Sequence, residues 1–202
     1  MTPLFSTAFM PPIAYMATLA KYPEAHIEAK ETFPKQTYRN RLEIMTANGM
    51  KTLTVPVIRN NHSRTDEVRI DYKERWNIIH LRTLEAAYSA SPYYLYYKDG
   101  LENLLMQRYD FLLQLNHAAL EWLLKQLKTP CTTTLTTDFL PFSDNTLDYR
   151  NTFSPTHPYP TEGMESYYQV FSDRLPFTPN LSIIDLLMNL GPEAKDYLKR
   201  IS

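Results

Sequence analysis

Glycine is scarce in this 202-residue chain, with only Gly49, Gly100, Gly163 and Gly191, none near another. A Walker loop or a dinucleotide fingerprint needs closely spaced glycines to bring backbone amides against phosphate, so a nucleotide would have to be held by side chains. Cysteine is scarcer still: Cys131 stands alone and has no intramolecular disulfide partner. It precedes a threonine run and lacks a neighbouring base, which favours a buried thiol over a nucleophile. No Gly-x-Ser-x-Gly elbow is present, and no histidine has a second histidine or cysteine at ligand spacing, so no metal is expected. No apolar run approaches the roughly 20 residues that span a bilayer. The formal net charge of −1 supplies no positive field for a nucleic-acid backbone. The first residues lack the basic start and apolar core of a secretory signal, and a cytoplasmic protein is expected.

The composition, 44% hydrophobic and 13% aromatic, suits one well-filled core, and a single domain over residues 1–202 is expected. Residues 4–9 read as a first strand, and Pro11-Pro12 opens a helix over 11–21. Ala25 to Ala29 alternate as a second strand, which makes a parallel strand-helix-strand opening. The mouth of the first strand and the start of the helix are then natural cleft positions, bringing Met10 to Tyr15 near any site. Residues 35–46 and 51–58 read as strands joined through Asn48-Gly49, a hairpin signal, with Pro56 marking an edge or the end of pairing. Val68 and Ile70 add a short strand. Helices follow over 73–90 and 101–128, the latter breaking near Asp110. Thr-rich residues 131–139 read as either strand or loop. Residues 141–165 form an irregular proline-rich segment, a candidate flap. Tyr167 to Phe171 suggest a strand, and Asn180 or Ser182 caps a further helix. The fold class is α/β: a mixed sheet with a parallel opening and an antiparallel hairpin, covered by helices.

Function is sought first at the head of the 35–46 strand, where an amide pair, a phenol and three cations crowd together. Extended backbone would align Gln36, Tyr38 and Asn40 with the apolar Leu42 and Ile44, so that a buried face runs out into a polar pocket floor. Lys35, Arg39 and Arg41 would take the opposite face. The two arginines, about 7 Å apart along a strand, suit a phosphate or carboxylate fork, or else surface ion pairs with acids such as Glu43. Tyr15 lies off the inner stripe of the first helix, either as a packed rim residue or with its hydroxyl aimed at a site. His80 shares a helical stripe with Trp76 and Thr83, where it is a general base or a satisfied core histidine. Tyr38 is its companion as a catalytic candidate. Gln169 and Asn180 are polar islands beside apolar runs, either ligand-binding or engaged in capping and packing.

The segments Met10-Pro11-Pro12-Ile13-Ala14-Tyr15 and Lys35-Gln36-Thr37-Tyr38-Arg39-Asn40-Arg41, the Leu53 to Val57 strand, and Trp76 with His80 carry a family resemblance. Tyr168-Gln169-Val170-Phe171 and Asn180-Leu181-Ser182-Ile183-Ile184-Asp185-Leu186-Leu187 complete it. With these the chain resembles the WbqC-like family along its whole length. The resemblance implies a bacterial role beside genes for O-antigen and other surface polysaccharides. It names no cofactor and no settled reaction. Relatives often carry a histidine where this chain has Lys30 and a glutamate where it has Ala14, departures that bear on activity. Two functions follow as expectations. One is a transferase moving an acyl or aminoacyl group onto a nucleotide-linked amino sugar, with Arg39 and Arg41 on phosphate, Gln36, Tyr38 and Asn40 on the sugar, and His80 removing the amine proton. The other is a binding protein of the same pathway that uses this pocket without chemistry.

Overall fold

The computed structural model describes residues 2–141, 147–157 and 159–201. Strand β1 (Leu4–Ser6) runs into helix α1 (Ile13–Leu19) and returns as β2 (Glu24–Glu28), parallel to β1 with Leu4 opposite His26 and Ser6 opposite Glu28. The Thr-rich segment resolves as strand β7 (Thr132–Leu135), parallel to β2 on its other side, so the sheet order is β1-β2-β7. Branching at Cβ favours extended backbone, and an open neighbour on β2 supplies the hydrogen bonds. All three strands point the same way, and their carboxyl ends, at Ser6, Glu28 and Leu135, lie side by side.

The hairpin of β3 (Arg41–Thr46) and β4 (Gly49–Thr54) turns through Ala47-Asn48, with Gly49 opening β4, and forms its own antiparallel ladder beside the parallel sheet. Gly49 adopts φ +98°, which a side chain would strain. Pro56 separates β4 from a two-residue strand β5 (Val57–Ile58), which pairs with β6 (Arg69–Ile70). Helix α2 (Trp76–Tyr88) packs on β3, and α3 (Tyr94–Met106) packs on α2 and on α4 (Leu112–Gln126), with the expected break between α3 and α4 around Asp110. Helices α5 (Ile183–Leu190) and α6 (Ala194–Arg200) close the chain against α1. One cluster of buried side chains runs from Phe5 to Leu198 and includes residues of each layer.

Two expected strands need correction. The strand over 35–46 begins only at Arg41, and residues 35–40 are bends and turns. Gln36 takes φ +55°, a left-handed value that extended backbone does not allow. The carbonyl of Tyr38 accepts from the Phe9 amide at 2.8 Å, tying this segment to the loop after β1. Alternate residues from 36 to 40 therefore do not share a face, whereas Leu42 and Ile44 are buried as read. Residues 167–169 are irregular and a turn begins at Val170, while Gln169 clamps the backbone of Thr178 through both amide atoms. The 141–165 segment is irregular over its described part; the portion at 142–146 and 158 lies outside the described residues.

Candidate functional site

Two of the sequence candidates lie close to the carboxyl ends of the parallel strands. Tyr15 is fully buried, wedged between Phe5 and Phe153 with ring centroids at 5.1 and 5.3 Å, and donates its hydroxyl to the Ser6 carbonyl at 2.8 Å. Burial keeps the phenol protonated well past its ordinary range, against the pull of the Arg39 charge. Arg39 is 3% exposed, and its Nε and Nη2 donate to one carboxylate oxygen of Glu31 at 2.9 and 2.7 Å. Its guanidinium is therefore committed inward and does not form a fork with Arg41, which is half-buried and whose Nε has no partner among the described residues.

The other candidates are dispersed. Lys35 and Gln36 are exposed in the turn. Tyr38 donates to Glu43 at 3.0 Å, and burial followed by the Glu43 charge raises its pKa. Asn40 donates to the Val55 carbonyl at 3.0 Å and fixes the start of the hairpin. His80 packs on Trp76 and Phe9, with ring centroids at 5.1 and 6.1 Å. Burial lowers its pKa to about 4, so the imidazole is neutral, and its Nδ1 has no partner among the described residues. Gln169 joins Tyr167 and Tyr88 around the buried Asp185 carboxylate. Asn180 caps α1, its Oδ1 accepting from the Ala14 amide at 2.8 Å.

At the strand ends the structure assembles a set of ionised groups that the sequence reading passed over. Glu28, the last residue of β2, is wholly buried. Its Oε1 accepts from the Lys30 amide and the Thr136 hydroxyl, both at 2.8 Å, and its Oε2 from the Leu140 amide and Arg150 Nη1, both at 3.2 Å. Arg150, from the proline-rich segment, also grips Asp148 through Nε and Nη2. Burial works to raise the Asp148 carboxyl, but the Arg150 bonds prevail and hold it below its usual range. Three residues on, Glu31 is pushed the other way: burial raises its carboxyl even with Arg39 bonded to it. Lys30 Nζ reaches Asp66 at 2.8 Å on the more open side.

Loop segments hold these groups together. Residues 29–33 run beside 63–66 through the Asp66 amide on Ala29, the Thr65 amide on Glu31 and the Phe33 amide on Ser63. Asn116 of α4 donates to Thr7 and to the Arg39 carbonyl, and its buried Oδ1 has no partner among the described residues. A groove of about 320 Å³, lined by His26, Leu135 to Asp138 and Leu140, opens beside Thr136 and Leu140, whose polar groups contact Glu28. Chemically the set offers one saturated carboxylate, one carboxylate whose neutral form burial favours, and two buried guanidinium groups. The opposed shifts of the Asp148 and Glu31 carboxyls are what acid–base chemistry requires, although structural ion-pair networks share them. Among the described residues no group of three His, Cys, Asp or Glu side chains is arranged to hold a metal ion. None of their helices is long and apolar enough to cross a membrane.

The signal that could have found Glu28 and Glu31 was present in the parallel opening, because polar residues just beyond a parallel strand face the crevice. Arg150 carried no such signal, since only the tertiary fold brings it to β2.

Over 222 aligned residues, covering 95% of this chain and 94% of the other, the sequence is 27% identical to the uncharacterized protein Rv1507c of Mycobacterium tuberculosis (strain ATCC 25618 / H37Rv). No solved structure matches the chain. The profile of the WbqC-like protein family matches residues 7–154 and 156–197, which takes in the described fold from the loop after β1 into α6. The chain belongs to the WbqC-like protein family.

Proposed function

We propose that this protein is a transferase of bacterial surface-polysaccharide biosynthesis, moving an acyl or aminoacyl group onto the amine of a nucleotide-linked amino sugar at the carboxyl ends of β1, β2 and β7. The observation that carries the reading is the Glu31 carboxyl, buried beside Arg39 with its proton affinity raised above that of an ordinary carboxylate. A base of raised pKa accepts a proton from an amine more readily than a free carboxylate does. The sugar nitrogen bonds to the acyl carbonyl carbon, the bond to the donor's leaving group breaks, and Glu31 takes the nitrogen's proton. Lys30, partly exposed and paired only with Asp66, is the cation offered to the charge that develops on the carbonyl oxygen. The biosynthetic setting is what the resemblance to the WbqC-like family implies.

The test is a thermal-shift screen against nucleotide-linked amino sugars with and without activated acyl donors, followed by turnover assays. Glu31→Gln, which keeps an acceptor for Arg39, should lower turnover at least about 100-fold while retaining the ligand-induced shift. Unchanged turnover in a folded Glu31→Gln protein would remove Glu31 as the base. The second reading, a binding protein without chemistry, is favoured by Glu28, whose two oxygens are saturated by four donors and have no free capacity. It predicts a ligand shift with no turnover under any donor.

A further inference from the structure

A second groove, of about 530 Å³, lies away from the parallel strand ends, between the tip of the β3–β4 hairpin and the outer face of α2. Its apolar surface includes Met50 and Ile79, which are 58% and 52% exposed, large values for side chains of this type. Its charged lining is of one sign. Lys51 and Arg82 both face the groove, and no aspartate or glutamate does. Neither cation makes an ion pair or hydrogen bond with any described residue. Most cations elsewhere at the strand ends are paired: Lys30 to Asp66, Arg39 to Glu31, and Arg150 to Glu28 and Asp148.

We propose that this groove binds a small amphipathic anion, its carboxylate or phosphate head against Lys51 and Arg82 and its apolar body on Met50 and Ile79. The volume falls in the range of small-molecule sites, roughly 300–1,000 Å³. It is too confined for the surface that a stable protein interface buries. Two unpaired cations in a lining that holds no acid complement an anion, Glu85 on the neighbouring turn of α2 facing the adjacent cleft with Lys98, and the exposed apolar side chains reward a hydrophobic body over a hydrated inorganic ion. The site shares no residue with the strand-end cluster and stands or falls independently of the transferase reading.

Isothermal titration with octanoate, octyl phosphate and the neutral 1-octanol tests the proposal on the intact protein. Both anions should bind, and the amides of residues 46–51 should shift in NMR spectra. The Lys51→Gln/Arg82→Gln double variant should bind at least tenfold more weakly, and Ile79→Ser severalfold more weakly. All three side chains are exposed, so the unliganded melting temperature should hold and these losses can be read as binding effects. Binding of 1-octanol as tight as that of octanoate would overturn the proposal. So would unchanged octanoate binding in the double variant, the absence of any heat or amide shift at millimolar concentrations, or the groove's occupation by an acidic amphipathic peptide in place of octanoate.

Discussion

At the scale of single residues, Arg39 shows how burial reassigns a side chain. In the sequence it stands among Lys35, Gln36, Asn40 and Arg41 as a ligand-binding cation; in the fold it neutralises Glu31 in the interior. Removing one partner of a buried pair strands the other, so Arg39→Ala should cost about 3–5 kcal/mol in chemical denaturation. A loss below about 1 kcal/mol would mean that the pair is solvated. His80 gives a pH prediction. It stays neutral in the folded protein down to about pH 4 because burial opposes its charge, while in the unfolded chain it protonates near 6.5. Between these values the unfolded state binds the extra proton, so this residue's contribution to stability falls as pH falls, by at most about 1.4 kcal/mol per unit. Glu31 and Asp185, whose pKa values burial raises, act in the opposite direction. The informative quantity is therefore the difference between wild type and His80→Gln, which should decline steadily from pH 6.5 to 4. A flat difference would place His80 in contact with solvent. That a histidine on the Trp76 stripe is buried was legible from helical spacing; that its Nδ1 lacks a partner was not, because Phe9 and the hairpin arrive from distant parts of the chain.

At the scale of elements, local signals with their own geometry survived folding. The hairpin turn at Ala47-Asn48 just ahead of Gly49, the break between α3 and α4, and the Ser182 cap, whose hydroxyl accepts from the Ile184 amide, form where the sequence places them. Elements that depend on a neighbour did not declare themselves. The threonine run is a strand because β2 lies beside it, and residues 36–40 are turns because the loop after β1 captures the Tyr38 carbonyl. The end of α5 illustrates a tertiary demand on one residue. Gly191 has φ +55° and ψ −125°, and a Cβ there would lie 2.5 Å from the ring of Tyr93. Gly191→Ala combines backbone strain with overpacking and should destabilise the protein by about 2–5 kcal/mol, read by urea denaturation. A change near zero would show that Tyr93 swings clear at no cost.

At the scale of the whole molecule, a single buried cluster takes side chains from β1 through α6, and the ionised groups at the strand ends bind segments more than one hundred residues apart. Such a core should unfold in one cooperative step, with near-ultraviolet and far-ultraviolet circular dichroism melting together. Two separated transitions would show that the tail after residue 165 is an independent unit. What the sequence by itself determined are properties carried by short windows: the α/β class, the parallel opening, the hairpin, the helical stripes and the family likeness. These follow from periodicities and turn residues that act over a few neighbours. Only the tertiary structure decided which polar residues meet. Glu28, Glu31, Arg39, Asp148 and Arg150 come from three stretches of chain, and no local pattern encodes their convergence at the ends of parallel strands. Pairing in the low-dielectric interior then fixes their charges, because there an unpaired ion is too costly to keep.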